Sequence, residues 1–215
     1  MGDNKYLVIV PARAGSKGVV GKNTIDVNGK PLIVYTLEVA LAICNIRSDT
    51  ALYVSTDDEK VVSVCREHHV DVPSLRPELL SSDQAKTVDV VIHVLHEEME
   101  KGKKWENVIL LQPTSPLRNV DDVNTSIRIF EETGEKSLIS AYLDPHLNEM
   151  IMYKKRLHAA VPLNPNHNTG TRRQESESIY IRNGAIYIVN TDYLLTHMSL
   201  IADSPSLYVM PENRS

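Results

Sequence analysis

The stretch "PARAGSKGVVGKNT", residues 11–24, combines glycines with side chains that donate hydrogen bonds. Gly15 and Gly18 have no side chain, so the backbone there can approach a bound group closely. Arginine and lysine bring positive charge, while serine and asparagine add neutral donors. The donors are Arg13, Ser16, Lys17, Lys22 and Asn23. These residue types predict a loop that binds phosphate groups.

The loop matches neither of the two common nucleotide motifs. The phosphate loop of ATPases needs four residues between its glycines and a serine or threonine after its lysine. Here five residues separate Gly15 from Gly21, and Asn23 follows Lys22. The dinucleotide fingerprint also fails, because Gly15 and Gly18 have the wrong spacing. A glycine-rich surface turn with solvated lysines is therefore the alternative that the residues alone leave open.

The position of the loop favours a ligand site. It follows the apolar run at residues 7–10, which ends at Pro11 as a buried parallel strand does. A loop after the first strand of a parallel sheet lies at the carboxyl edge, where such folds bind ligands. We therefore expect a phosphate-binding loop at that edge.

Strand-like and helix-like segments alternate along most of the chain. Strands are predicted at residues 7–10, 51–55, 70–73, 107–112, 138–142, 184–189 and 206–210. Helices are predicted at residues 32–42, 59–69, 87–100, 121–132 and 192–198, with Asp57 and Asp58 at the start of the second. This alternation predicts an α/β fold, with a doubly wound and mostly parallel sheet.

The character of the sequence changes after Asp144. Residues 145–181 mix short β-like pieces with Asn, Pro and charged residues. We therefore predict one core at residues 1–144 and 182–215, with residues 145–181 inserted as an arm.

Composition excludes several classes of protein. The net charge of −5 argues against a general nucleic-acid binder. The longest apolar runs fall short of the roughly 18 residues that a membrane span needs, so we expect no membrane partner. Cys44 and Cys65 lie in apolar helical patterns and are predicted to be buried free thiols, which favours a cytoplasmic location.

Four stretches in order resemble the sugar-activating cytidylyltransferases, the CMP-sialic acid synthetase (N-acylneuraminate cytidylyltransferase) family. They are "PARAGSKGVVGKN", "VSTDDEKV", "LQPTSPLR" and "RRQESESIYIRNGAIYI". The resemblance implies a fold of the nucleotide-diphospho-sugar transferase type. It also implies a reaction in which CTP and a nine-carbon ulosonic acid give a CMP-sugar and pyrophosphate, with Mg²⁺ as cofactor. The inserted arm is implied to form a homodimer.

The resemblance also implies roles for individual residues. Arg13 and Lys22 are implied to hold the phosphates and stabilise the leaving pyrophosphate. The nucleotide-binding residues would be Arg13, Gly15, Ser16, Lys22, Asn23, Arg76 and Thr87. The residues that meet the sugar acid would be Gln112, Asn183, Tyr187 and, on the arm, Arg173.

The sequence departs from the family pattern at three places. Val20 stands where the family usually has proline. Ile181 replaces the usual arginine, and Arg182 follows it, which would turn that side chain to the other face of a strand. The family's Asp-x-Asp magnesium motif would follow "YVMPENRS", so we expect the metal ligands beyond Ser215 and poor catalysis by this chain alone.

Other functions remain open on the sequence. A close relative could make CMP- or GMP-legionaminate. A nucleotidyltransferase for a simpler phosphorylated sugar fits "LQPTSPLR" and "NGAIYI" less well. A truncated or degenerate nucleotide-binding protein with little activity is the alternative outside the enzymes.

Overall fold

The structure is a computed structural model that describes residues 4–15, 18–169 and 178–215. Its centre is one six-stranded sheet with the spatial order β10-β6-β9-β5-β1-β4. The six strands are β1 (Tyr6–Ala12), β4 (Thr50–Thr56), β5 (Asn107–Leu110), β6 (Ser137–Leu143), β9 (Tyr180–Asn190) and β10 (Ser206–Val209). Short two-stranded pairs are formed by β2 (Asp26–Val27) with β3 (Lys30–Pro31) and by β7 (Tyr153–Arg156) with β8 (Ala159–Pro162).

The large sheet is parallel except at β9. Strand β1 pairs in parallel with β4 and β5, and β6 pairs in parallel with β10. Strand β9 lies between β5 and β6 and runs antiparallel to both. The carboxyl ends of β1, β4 and β5 therefore meet at one edge, and β9 enters the sheet from that edge.

Helices cover both faces of this sheet. They are α1 (Leu32–Ile46), α2 (Glu59–Glu67), α3 (Thr87–Glu100), α4 (Val120–Thr133) and α5 (Thr191–His197). Apolar residues of α1, α2 and α4 form one core layer, and those of α3 and α5 form the other. The predicted doubly wound, mostly parallel α/β fold is confirmed.

Side-chain caps hold the starts of α2 and α4. Asn119 caps α4 in a capping box with Asp122, and Gly134 ends that helix in a left-handed conformation. Asp58 caps α2, because its carboxylate accepts from the backbone N–H of Lys60 at 2.9 Å. The expectation that Asp57 begins this helix is wrong: its carboxylate accepts instead from the backbone N–H of Ala14.

The strand predicted at residues 70–73 does not form. Val70 is buried against the core, but the backbone that follows it pairs with β4 at an isolated bridge between Thr56 and Leu75 rather than along a ladder. Pro73 lacks the N–H group that a strand ladder needs. The apolar character of Val70 and Val72 reflects packing against the core rather than pairing.

The inserted region contains a small hairpin. Strands β7 and β8 pair with each other through the turn at residues 157–158. Strand β9 begins at Tyr180, four residues before the predicted strand, and Tyr180 pairs with Leu143. The division into core and arm stays a prediction.

Both cysteines are free thiols. Cys65 is buried as expected, whereas Cys44, in the last turn of α1, is half-buried. Burial raises the pKa of each thiol to about 11. Among the described residues, no helix is both long and apolar enough to cross a membrane.

The capping box at α4 yields a stability prediction. Asp122 is almost fully buried and also accepts from the Tyr208 hydroxyl at 2.7 Å and from Arg214 at 2.9 Å. Asp122→Ala removes the cap and leaves the Tyr208 hydroxyl without its partner. We expect the free energy of unfolding to fall by about 2–4 kcal/mol in urea denaturation.

The neighbouring carboxylate provides the matched control. Asp121 is exposed in the first turn of the same helix. Asp121→Ala should change the free energy of unfolding by no more than about 0.5 kcal/mol. Equal losses for the two variants would contradict a specific role for Asp122.

Candidate active site

A cavity of about 270 Å³ opens at the carboxyl edge of β1, β4 and β5. Its walls come from the first loop, the segment that precedes α3, the first turn of α3, and the segment after β5. The lining residues are Pro11, Arg13, Lys22, Asn23, Arg76, Leu80, Ser82, Asp83, Ala85, Thr87, Val90, Gln112, Pro113 and Thr114. Residues from positions 11 to 114 of the chain thus meet because three parallel strands end side by side.

Three cationic side chains line this cavity. Arg13 and Lys22 come from the first loop, and Arg76 comes from the segment after α2. Asp83 is the one carboxylate among the described lining residues, and it forms an ion pair with Arg13 at 2.9 Å. The lining is therefore suited to a ligand that carries several negative charges.

Arg76 is held from behind. It is buried, and it donates from Nε to the Ser55 hydroxyl at 2.9 Å and from a terminal nitrogen to the Ser55 carbonyl. Burial lowers the pKa of this guanidinium and nearby Arg13 adds to that shift, while Asp57 raises it. A buried cation beside another cation gains from an anionic ligand that neutralises both.

The first loop is anchored by hydrogen bonds from the protein rather than by a standard motif. Asn23 is buried and donates to the Arg13 carbonyl at 3.0 Å, and Asp57 accepts from the Ala14 N–H at 2.9 Å. The Thr56 hydroxyl donates to the Ala12 carbonyl at 2.5 Å. These bonds hold Arg13 at the cavity wall. Asn23 also lines the cavity, while its side-chain amide donates to the backbone of the loop.

All of the predicted site residues except Asn183 and Tyr187 fall into three groups. Arg13, Lys22, Asn23, Arg76, Thr87 and Gln112 all line the one cavity. Gly15 lies beside it, in an adjoining depression that Arg13, Val20 and Asp83 also border. Ser16 and Arg173 fall outside the described residues.

Gln112 and Tyr187 lie close to each other at one side of the site. A methyl carbon placed on Gly184 would lie 3.3 Å from Gln112 Oε1 and 3.7 Å from the Tyr187 hydroxyl. Arg182 lies over the Tyr187 ring, 5.9 Å from its centroid. The absence of a side chain at Gly184 therefore leaves open the space between Gln112 and Tyr187.

Asn183 is used within the protein. Its side-chain oxygen Oδ1 accepts from the Ser140 hydroxyl at 2.6 Å and from the Ala185 N–H at 3.1 Å. Its amide nitrogen lies 3.1 Å from both Met210 Sδ and Ser215 Oγ. Asn183 is absent from the described cavity lining, and its contacts organise the strand around it.

Several residues at the site have no marked sequence signal. Asp57 has the pattern of a helix start, and Asp83 lies in a loop-like stretch. Ser55 and Ser140 are serines within apolar strands. Arg118 stands inside the quoted "LQPTSPLR" but nothing in the pattern assigns it a role. The one feature of the sequence that could have indicated Arg118 is its place as a charged residue directly after the turn with two prolines.

The mostly parallel sheet and the cationic cavity at its carboxyl edge define an α/β protein with a site suited to a polyanionic ligand. The family model for cytidylyltransferases matches residues 7–208. The chain belongs to the cytidylyltransferase family.

Relatives with curated names agree with this membership. The chain is 32% identical to the CMP-N,N'-diacetyllegionaminic acid synthase of Legionella pneumophila, over 93% of this chain and 84% of that protein. It is 29% identical to the N-acylneuraminate cytidylyltransferase of Streptococcus agalactiae serotype V, over 98% of this chain. The chain spans 49% of the length of that second relative.

A solved structure shares the fold. A CMP:2-keto-3-deoxy-manno-octonic acid synthetase complexed with CTP matches with a TM-score of 0.65 at 21% identity. The match covers 94% of this chain and 80% of that chain.

Gly184 yields a prediction about the geometry of the site. Its φ is +77°, a conformation that a side chain disfavours, and an added methyl group would crowd Gln112 Oε1. Gly184→Ala should lower the free energy of unfolding by about 1 kcal/mol and displace the Gln112 side chain. The displacement is measured as a shift of the Gln112 side-chain amide resonance in NMR spectra.

Gly134→Ala is the matched control, since Gly134 has a φ of +65° with no atom near an added methyl group. A similar loss of stability is expected there, with an unchanged Gln112 resonance. An unchanged Gln112 resonance in Gly184→Ala would refute the proximity of these two residues.

Proposed function

We propose that this protein transfers CMP from CTP to a nine-carbon ulosonic acid and releases pyrophosphate. The observation that carries the proposal is the convergence of Arg13, Lys22 and Arg76 on one cavity whose other side is formed by Gln112. Three cations match a triphosphate, and a neutral amide suits a polyhydroxylated acid.

The chemistry needs positioning and charge neutralisation. A hydroxyl oxygen of the sugar acid forms a bond to the α-phosphorus of CTP, and the bond from that phosphorus to the bridging oxygen breaks. Pyrophosphate leaves with the bridging oxygen, and the hydroxyl proton is released. Arg13 and Lys22 would stabilise charge on the phosphates, and Arg76 would add a third cation beside Arg13.

We propose that the nucleotide base and the sugar acid occupy different parts of the site. Thr87 and Val90, at the start of α3, form a wall that suits the base, together with Ala85. Gln112 and Tyr187 flank the open space at Gly184, which suits the sugar acid. The relative of 32% identity favours a legionaminic acid derivative as the first acid to test, with N-acetylneuraminate as the second.

Mg²⁺ remains an expectation from the resemblance. Among the described residues, no group of three or more His, Cys, Asp or Glu side chains could hold a metal ion. The described lining offers the single carboxylate of Asp83, already paired with Arg13. These residues do not fit a metal site by themselves.

Removal of the Lys22 charge tests the nucleotide proposal. With CTP and a legionaminic acid derivative, wild-type protein should release pyrophosphate, measured by a coupled pyrophosphate assay with and without Mg²⁺. Lys22→Ala should lower kcat/KM for CTP by about 10²-fold, because a phosphate contact that strengthens in the transition state is lost. Lys60→Ala, at an exposed position on α2, should leave it within about twofold.

Thermal shifts with CTP, GTP, ATP and UTP report base preference independently of turnover. Binding to the folded state raises stability by RT ln(1 + [L]/Kd), so a CTP-selective shift supports the proposal. A GTP-selective shift would replace it with a guanylyl transfer. No shift with any nucleotide, together with no pyrophosphate release, would overturn it.

We also propose a homodimer formed through the hairpin region. Ile151 is 70% exposed and Leu157 is 89% exposed, and Tyr153, Val161 and Leu163 add further apolar surface. An isolated two-stranded hairpin is marginally stable in water, so a covering surface would stabilise it. A second copy of this chain is the partner we propose for this apolar surface.

The dimer proposal predicts a change of mass. Wild-type protein should elute as a dimer in size-exclusion chromatography with light scattering, and Ile151→Glu combined with Leu157→Glu should shift it to monomer. Ile46→Glu, at an exposed apolar position on α1, is the control and should stay dimeric. A monomeric wild type, or a double variant that remains dimeric, would contradict the proposal.

A further inference from the structure

The strand that carries Tyr187, β9, is interrupted by a large bulge. Ile139 pairs with Tyr187 and Ala141 pairs with Arg182, so one residue of β6 faces four residues of β9. The four are residues 183–186, and Gly184 takes its positive φ within them. A bulge of this size removes backbone groups from the ladder, and those groups need other partners when they are buried.

Ser140, the residue of β6 that faces the bulge, supplies some of those partners. It is fully buried, and its hydroxyl accepts from the Ile186 N–H at 2.8 Å. The same hydroxyl lies 2.6 Å from Asn183 Oδ1 and 3.2 Å from the Ile186 carbonyl. One serine thus secures both ends of the bulge on the β6 side.

Arg118 secures the bulge from the other side. One of its terminal nitrogens donates to the Ala185 carbonyl at 2.7 Å and to the Gln112 carbonyl at 3.2 Å. Its other terminal nitrogen donates to the Thr36 hydroxyl on α1 at 2.7 Å. A single guanidinium therefore connects the bulge, the turn that carries Gln112, and a helix of the core.

This arginine is costly to bury. It is 3% exposed, its Nε has no hydrogen-bond partner among the described residues, and burial lowers its pKa to about 10 against an opposing effect of Asp122. Even so, the group stays charged near neutral pH. In the described part of the chain no carboxylate forms an ion pair with Arg118. A buried cation of this kind contributes little to stability, since an apolar side chain of similar volume often serves as well. Its bonds to two carbonyls at the site indicate a different purpose.

We propose that Arg118 is a positioning residue that sets the distance between Gln112 and the Tyr187-bearing bulge. Its planar guanidinium bonds both backbone carbonyls with fixed geometry, which a flexible ammonium cannot reproduce. The inference rests on the proposed function, because it assigns the space between Gln112 and Tyr187 to the sugar acid. Arg118 itself would not touch the substrate.

The test compares Arg118→Met and Arg118→Lys with wild type. Arg118→Met should raise KM for the sugar acid about tenfold while KM for CTP stays within about twofold, since a small misplacement of a substrate contact has effects of this size. Arg118→Lys keeps a charged donor group, so its KM for the sugar acid should fall between those of wild type and Arg118→Met. A larger KM for both substrates alike, or two unchanged KM values, would overturn the proposal.

Glu98→Gln is the matched control. Glu98 is also a buried charge, bonded to Lys101 and to the Trp105 indole at the far end of α3 from the cavity. A merely structural role for Arg118 predicts the same pattern in both variants, namely lower thermal stability with both KM values unchanged. If Arg118→Met does not fold, Thr36→Val removes one partner of the guanidinium and should shift the sugar-acid KM in the same direction by a smaller factor.

Hydrogen–deuterium exchange separates this proposal from the proposed function. In Arg118→Lys, amides of residues 112–118 and 183–187 should exchange faster than in wild type, whereas in Glu98→Gln they should not. Absence of both nucleotide binding and turnover in wild type would overturn the proposed function alone, and the exchange result would then decide the role of Arg118. Unchanged exchange across residues 183–187 would overturn the positioning proposal.

Discussion

The antiparallel insertion of β9 between β5 and β6 is the constraint on which the site depends. A wholly parallel sheet would bring every strand to the cavity edge by its carboxyl end. Because β9 runs the other way, its early residues rather than its last ones lie at that edge, and Gly184 comes next to Gln112. The bulge at residues 183–186 then breaks the pairing where the proposed sugar site needs space.

Polar contacts inside the protein determine the shape of that edge. Asp57 and Asn23 bond the backbone of the first loop, Ser55 bonds Arg76, and Arg118 bonds the turn after β5. Each of these groups fixes a neighbour that faces the cavity. The side chains that line the cavity are thus preorganised by a surrounding layer of hydrogen bonds. This reduces the loss of conformational freedom that ligand binding would otherwise require.

Positive charge is concentrated at the same edge of the sheet. Cationic side chains reach the cavity from two separate segments, and Asp83 balances Arg13 across the opening. A net-acidic protein with a locally cationic cavity attracts a polyanion to one place and repels it elsewhere. This arrangement fits a small phosphorylated ligand better than an extended nucleic acid.

Much of this architecture was determined by the sequence alone. The alternation of apolar strands with amphipathic helices gave the fold class, and α3 at Thr87–Glu100 was predicted to the residue, because its apolar spacing is long and regular. The cationic loop could be found from its residue types and from its place after the first strand, because ligands bind at the carboxyl edge of such sheets. Tertiary structure decided the rest: that Val70 packs without forming a strand, that Asp57 holds a loop rather than starting a helix, and that Asn183 serves the bulge. These outcomes depend on which distant groups lie within hydrogen-bond distance, and local spacing does not carry that information.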